Sequence, residues 1–117
     1  MYTSIYIHRI PRAHREEILA IITEASRLYR EIGDVECTFL HPADLAAKYG
    51  CASFMDGISL EENEDVIVEL NSFRNKSEHD AIMELTDQNE RINELYDQLT
   101  KLMDVTRIIR GEFETAA

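Results

Sequence analysis

The residues best suited to chemistry in this sequence are a few ionisable side chains within three segments of alternating polarity. His8 stands in an N-terminal segment, Glu69 in a central one, and Arg110 with Glu112 in a C-terminal one. A histidine beside a carboxylate can transfer protons, and an arginine between two glutamates forms charge-assisted hydrogen bonds. The group is therefore interpreted either as an acid/base or carboxylate-binding site or as an ion network in a dimer interface. The candidate ligand or interface residues are Tyr6, His8, His41, Glu69, Arg110 and Glu112.

These residues are positioned by a repeated order of elements: a β-rich run, an amphipathic helix and a second β-rich run. The order spans residues 2–41 and again residues 64–115. It predicts a single α+β, ferredoxin-like β-α-β-β-α-β domain over residues 1–117, with a four-stranded antiparallel sheet. In the usual topology the first strand lies between the third and the fourth. His8 is therefore expected to approach the three charged residues of those strands.

Periodicity and end signals predict the bounds of the elements. Strands are predicted over residues 2–10, over 35–40, from residue 65 onward and over 105–115. The first helix follows Pro11 and ends at Gly33, which is expected in the left-handed conformation. The second is predicted as one helix that begins at a capping box of Ser77 and Asp80 and reaches Leu102.

One face of the sheet is expected to carry the apolar residues that pack against the helices. The residues assigned to this buried face are Ile5, Ile7, Val66, Val68, Ile109 and Phe113. The opposite face would then hold a mixture of apolar and ionisable side chains: Tyr2, Tyr6, His8, Thr38, Leu40, Ile67, Glu69, Phe73, Ile108, Arg110 and Glu112. An apolar patch rimmed by charge is typical of a surface that another chain covers, so this mixed face predicts a homodimer.

The segment between the two repeats, residues 42–62, is long for a connection between antiparallel strands. A short helix is expected at Ala43 to Tyr49, and Phe54 and Met55 are apolar enough to cover a surface. The segment is interpreted either as a lid or partner-contact element or as a packed surface flap.

Composition limits the classes of partner. The chain has 12 basic and 23 acidic residues and a net charge of −11, which repels nucleic acid. No stretch approaches the roughly 20 apolar residues of a membrane span, and a strand pattern begins at the N-terminus without a signal peptide. We therefore predict a cytoplasmic protein with no membrane or nucleic-acid partner.

The sequence has no recognisable motif for a metal, a cofactor or an activated nucleophile. The acidic face of the second helix has no supporting histidine, and the four glycines are too scattered for a phosphate loop. Cys37, within an alternating strand, is interpreted as a small buried hydrophobe. Cys51 lies in the central segment, where it is either reactive or inert. We expect no metal, no cofactor and no disulfide framework.

The chain resembles the bacterial YbaA-like family, domain of unknown function 1428. The matching positions in the first repeat are Tyr2, Tyr6, Pro11, Glu17, Tyr29, Arg30, Glu31, Gly33 and Glu36. Those in the second repeat are Glu64 to Val68, Ser77, His79, Asp80, Asp104, Arg107, Ile109, Gly111, Phe113 and Glu114. The third strand departs from the family pattern because it has no tryptophan, and the central segment matches poorly. The resemblance implies a dimeric α/β barrel, in which the sheets of two ferredoxin-like units face each other, and it implies no catalytic residues.

Two function classes remain open. The first is a small-molecule enzyme or binding protein with a pocket inside the barrel or under residues 42–62, for which Tyr6, His8, His41 and Arg110 are the candidates. The second is a non-catalytic homodimer whose mixed sheet face serves only assembly.

Overall fold

The computed structural model describes all 117 residues and has one four-stranded antiparallel sheet. The strands are β1 (Tyr2–Pro11), β2 (Glu36–Leu40), β3 (Glu64–Phe73) and β4 (Ile108–Glu114). The helices are α1 (Arg15–Ile32), α2 (Lys76–Asp87) and α3 (Glu90–Leu102). The strand order is β2-β3-β1-β4, so β1 lies between β3 and β4 as the sequence predicts. The α+β class is thus confirmed.

Helix α1 follows the predicted pattern, but its end differs in detail. Ile18 and Ile22 are buried on its inner face, and the N–H of Gly33 donates to the carbonyl of Tyr29. Gly33 has an extended backbone, with φ −162°, and not the predicted left-handed one. A Cβ at this position would lie 2.5 Å from the side chain of Ile82. Close packing of α1 against α2, and not backbone conformation, therefore explains the glycine.

The prediction of one long second helix is wrong, because the chain forms two helices with a break at residues 88–89. Asn89 is the N-cap of α3, since its side chain accepts a hydrogen bond from the N–H of Ile92. A new helix therefore begins just after α2 ends. The predicted capping box is also wrong: the N-cap of α2 is Asn75, which accepts from the N–H of Glu78. Both asparagines satisfy N–H groups that a helix start leaves unpaired.

The central segment contains no helix at residues 43–49, contrary to the prediction. There the Asp44 side chain accepts from the N–H of Ala46, which favours a turn, and Tyr49 has a positive φ of 58°. A short 3-10 helix forms instead at Phe54–Gly57, capped by Ser53. In its capping box the Ser53 hydroxyl oxygen accepts from the N–H of Met55, and the Asp56 carboxylate accepts from the N–H of Ser53.

The predicted assignment of the two sheet faces is wrong for the strand centres. The face that packs against the helices carries Tyr2, Ser4, Tyr6, His8 and Ile10 of β1, and Ile67, Glu69, Asn71 and Phe73 of β3 beside them. Ile10 and Ile67 belong to the main hydrophobic core with Ile18, Ile22 and Leu99. The helices therefore cover the face that the sequence led us to expect outside.

The other face, which we call the open face, carries most of the apolar residues that were predicted to be buried. Its apolar residues are Ile5, Ile7, Leu40, Val68, Leu70, Ile109 and Phe113. No helix covers them, and Phe113 and Ile109 are 58% and 39% exposed. Val66 on the same face is buried, at the end of the sheet where it adjoins Leu45 and Met55 of the central segment. The centre of the sheet has thus one polar face covered by helices and one apolar face without cover.

Candidate functional site

A cavity of about 260 Å³ lies between the sheet and the three helices. Of its 15 lining residues, 11 are hydrophobic. The polar ones all come from the centre of the sheet: Ser4, His8, Glu69 and Asn71. Tyr96 of α3, at 54% exposure, is the exposed residue of the lining, so the cavity opens beside it. A mainly apolar cavity with a few convergent polar groups is the usual form of a small-molecule site.

His8 and Glu69 form a buried pair at the sheet side of the cavity. Their side chains are 4% and 10% exposed, and His8 Nε2 lies 2.9 Å from Glu69 Oε1. The second carboxylate oxygen of Glu69 accepts a hydrogen bond of 2.7 Å from Nδ2 of Asn71. The approach of His8 to Glu69 was predicted. Asn71 was missed, although it stands two residues after Glu69 and therefore on the same side of the strand.

Two buried polar atoms of this group have no hydrogen-bond partner in the protein. They are Nδ1 of His8 and Oδ1 of Asn71. Because Glu69 accepts through both oxygens, His8 donates to it from Nε2, and in the neutral tautomer that this bond selects Nδ1 carries a free lone pair. Buried acceptors without partners are costly and rare, and both of these side chains belong to the cavity lining.

Arg110 and Glu112 form a separate group at the edge of the sheet. Arg110 Nη2 donates to Glu112 Oε2 over 2.5 Å, and the hydroxyl of Tyr2 donates to the same carboxylate. These two donors, Tyr2 first, hold the pKa of Glu112 below its usual range. Tyr6 connects the groups: the Arg110 guanidinium carbon lies 5.4 Å from its ring centroid, and its ring stacks on His8 at 6.1 Å. The four predicted charges thus form two pairs and not one network.

His41 lies apart from both pairs. It is exposed and lines a different cavity, together with Arg12 and Arg15 near the end of the sheet. This second cavity is flanked by Asp65, whose carboxylate lies 3.1 Å from Nε of Arg12 and 3.5 Å from Nε of Arg15. The sequence therefore grouped His41 with residues that the fold keeps away from it.

The charge of Glu69 also acts on two neighbouring groups. Burial, followed by the charge of Glu69, raises the pKa of the Tyr29 phenol far above its usual value. The same two causes raise the pKa of Cys37 to about 11. Tyr29 lines the cavity from α1 and stays a neutral hydroxyl there, while Cys37 is a half-buried thiol and not an activated nucleophile. Tyr29 was missed as a site residue, although it follows the cavity-lining Ala25 by four positions on one helix face.

No group of three or more histidine, cysteine, aspartate or glutamate side chains is arranged to hold a metal ion. No helix has the length and the apolar character needed to cross a membrane.

Comparison with known proteins places the fold and the family. The crystal structure of protein Atu4242 from Agrobacterium tumefaciens is similar, with a TM-score of 0.63 and 11% identity, over 99% of this chain and 94% of that one. At this identity the likeness concerns the fold alone. No curated protein matches the sequence. The model of the family described as "Protein of unknown function (DUF1428)" matches residues 1–103. The chain therefore belongs to the DUF1428 family.

Proposed function

We propose that this protein binds a small molecule in the cavity between sheet and helices, and that His8 exchanges a proton with it. The observation that carries the proposal is the buried His8–Glu69–Asn71 group, whose side chains line a mainly apolar cavity and leave two acceptors, His8 Nδ1 and Asn71 Oδ1, without a partner. A purely structural network would be expected to satisfy its own polar atoms, because a buried acceptor without a partner destabilises the fold.

The arrangement of His8 and Glu69 suits proton transfer. A carboxylate that accepts from one ring nitrogen fixes the tautomer of a histidine and stabilises the imidazolium formed when the other nitrogen takes up a proton. Glu69 Oε1 is placed for this role at 2.9 Å from Nε2. Asn71 in turn holds the second oxygen of Glu69, so that the carboxylate cannot rotate freely. The pair can thus accept a proton from a ligand and return it.

Binding is tested by filling the cavity. In a ¹H–¹⁵N NMR titration with the uncharged two-ring probe 2-methoxynaphthalene, we expect saturable shifts at residues that line the cavity. The variant Ala25→Leu places three extra carbons in the lining and should weaken binding by about tenfold or more. Ala20→Leu, on the exposed side of the same helix, is the matched control and should bind as the wild type does.

Two results would overturn the binding proposal. One is the absence of any saturable shift in the wild type with this probe and also with its hydroxyl and carboxylate analogues, 2-naphthol and 2-naphthoate. The other is equal binding by Ala25→Leu and Ala20→Leu. If Ala25→Leu fails to give a dispersed spectrum, Ile21→Phe fills the same cavity from the same helix and replaces it.

We further propose that the protein is a cytoplasmic homodimer, with the open face of each sheet against that of a second copy. What supports the dimer is the uncovered apolar surface, since soluble proteins rarely leave a large patch of this kind in water. This reverses the assignment made from the sequence, in which the mixed face, with Tyr6, His8 and Glu69, was the interface. Because the polar groups lie on the opposite side of the sheet, dimerisation and ligand binding would use separate surfaces.

The dimer is tested by placing a charge on the open face. We expect a mass near twice 13.5 kDa for the wild type in native mass spectrometry, and a monomer for Ile109→Lys. Leu85→Lys, an exposed leucine of α2, controls for the loss of a surface leucine and should stay dimeric. A monomeric wild type, or an Ile109→Lys variant that still dimerises, would contradict the proposed interface. A dimer that binds no probe in its cavity would instead favour the alternative function, a non-catalytic assembly module.

A further inference from the structure

The geometry points to a specific ligand class: a neutral, mainly apolar molecule that carries an acidic hydroxyl, a phenol or an enol, and gives its hydrogen to His8 Nδ1. This inference rests on the proposed function, because it names what the cavity binds. It follows from three features of the lining, namely the direction of its hydrogen bonds, its charge and its size.

The hydrogen bonds among His8, Glu69 and Asn71, which all line the cavity, determine which polar atoms remain for a ligand. Glu69 takes the Nε2 proton of His8 and one amide proton of Asn71. The atoms of these two side chains that have no partner at all are His8 Nδ1, with its lone pair, and the carbonyl oxygen of Asn71; the second amide hydrogen of Asn71 is the one donor left beside them. Both atoms need a donor. A hydroxyl supplies one, whereas an ether or a ketone supplies none and would leave both atoms unsatisfied.

The charge of the lining argues against an anionic ligand. No lysine or arginine lines the cavity, and Glu69 contributes a carboxylate to it. Arg110, the nearest candidate from the sequence, lies over the Tyr6 ring and is paired with Glu112. A ligand that arrives as an anion has no hydrogen to give to His8, so it would enter a site of low dielectric constant beside a like charge and without a counterion. The carboxylate-binding site considered from the sequence is therefore the wrong polarity for this cavity.

The size and the apolar character of the cavity define the body of the ligand. A volume of about 260 Å³ is just below the roughly 300–1,000 Å³ of most ligand sites, which suits a molecule of one or two rings. The rings of Tyr6, Tyr29 and Tyr96 contribute to the lining, and aromatic rings pack well on other rings. A planar phenol or a conjugated enol meets both requirements.

The proton step is balanced without any further reactant. The ligand O–H bond breaks, an N–H bond forms at His8 Nδ1, and the electron pair stays on the oxygen as a phenolate or enolate. The imidazolium formed at the same time is paired with Glu69 at 2.9 Å, so the two positive N–H groups face one anion each. Nothing is oxidised or reduced, and the reverse step restores the neutral ligand and the neutral His8 ring.

The experiment compares three probes that share one ring system: 2-naphthol, its methyl ether 2-methoxynaphthalene and the anion 2-naphthoate. Isothermal titration calorimetry at neutral pH gives the affinity of each for the wild type, for His8→Gln and for the control His41→Gln. We expect 2-naphthol to bind the wild type and His41→Gln about tenfold or more tightly than the ether, and 2-naphthoate to bind most weakly. In His8→Gln the preference for the hydroxyl should fall, since the basic nitrogen is lost.

A second readout follows the nitrogen itself. On binding of 2-naphthol, the ¹⁵N resonance of His8 Nδ1 should move to lower frequency, as expected when a lone pair accepts a hydrogen bond, and the ether should leave it in place. Equal affinity for naphthol and ether, tighter binding of 2-naphthoate, or an unmoved Nδ1 resonance would each overturn the ligand class while leaving the cavity as a binding site. Failure of all three probes to bind would overturn the proposed function itself.

Discussion

Replacing Glu69 by glutamine should change the direction of hydrogen bonding in the cavity while hardly changing its shape. In the wild type both oxygens of Glu69 accept, one from His8 and one from Asn71. Glutamine has one acceptor and one donor, so only one of these bonds can persist as it is. Either the His8 proton moves from Nε2 to Nδ1, or the Asn71 amide rotates and directs Nδ2 to the cavity. In both arrangements a donor replaces one of the two buried acceptors.

The size of the effect depends on which of the two arrangements forms. If the His8 proton moves to Nδ1, the atom proposed to take the ligand hydrogen becomes a donor, and loss of that acceptor costs about 1–3 kcal/mol, or about 5- to 150-fold in the affinity for 2-naphthol. If Asn71 rotates instead, the hydroxyl keeps its bond to His8 Nδ1 and also accepts from Asn71 Nδ2, so the affinity for 2-naphthol should not fall. The ether 2-methoxynaphthalene, which only accepts, should bind Glu69→Gln at least as well as it binds the wild type.

Calorimetry with the two probes measures the affinities, and ¹⁵N spectra of the histidine ring show which nitrogen carries the proton. Glu84→Gln removes an exposed carboxylate from α2 and is the control for the change in net charge. If Glu69→Gln keeps its fold, carries the His8 proton on Nδ1 and still binds 2-naphthol with unchanged affinity, the acceptor reasoning is refuted, because the polarity of Nδ1 would then not matter to the ligand.

Three further results are expected from the packing and from the thiols. Gly33→Ala should lower the free energy of unfolding by about 1–3 kcal/mol in urea titrations, since its Cβ meets Ile82, and combination with Ile82→Ala should cost less than the sum of the two changes. Asn89→Ala should cost about 1 kcal/mol in the same assay through loss of the α3 cap; no change would contradict the capping role. Exposed Cys51 should react first with an aromatic disulfide, whereas the pKa of about 11 makes Cys37 slow below that pH and faster as pH rises towards it; equal rates near neutral pH would exclude this difference.

The strands and their order could be read from the sequence because both depend on local patterns and on a common topology. Alternation defined β1 and β3, and the β-α-β repeat placed β1 between β3 and β4. The break between α2 and α3 was less visible, because the apolar stripe continues across it. Asn89, a preferred N-cap residue in the middle of the stripe, was the available signal.

The faces of the sheet could not be assigned by hydrophobicity alone. Ile5 and Ile7 are more apolar than Tyr6 and His8, which suggested that the isoleucines face the helices. The opposite holds because His8 of β1 hydrogen-bonds to Glu69 of β3 once both are buried, and that pairing is invisible in a single strand. The signal available in the sequence was Ile10, an apolar residue on the same face of β1 as His8. In the structure Ile10 is fully buried.

The candidate site could likewise be predicted only in part from the sequence. The approach of His8 to Glu69 followed from topology, because the two strands are neighbours and the residues lie near the same level. The cavity itself, with Tyr29 and Asn71 in its lining, depends on how far the helices stand from the sheet. That distance is set by packing of whole elements and has no signature in the spacing of residues.

The central segment, residues 42–62, is attached to the sheet through one of its backbone carbonyls, and such an attachment places little constraint on its side chains. Nη1 of Arg9 and Nη2 of Arg107 both donate to the backbone carbonyl of Ser59, at 2.7 and 3.1 Å. Every amino acid offers the same carbonyl, so the attachment does not depend on which side chain stands at that position. The segment can therefore change in sequence, and with it the surface that it presents, while the two arginines on the sheet side keep it in place. Diversity among related chains should accordingly be greatest in this segment and least at the arginines that hold it.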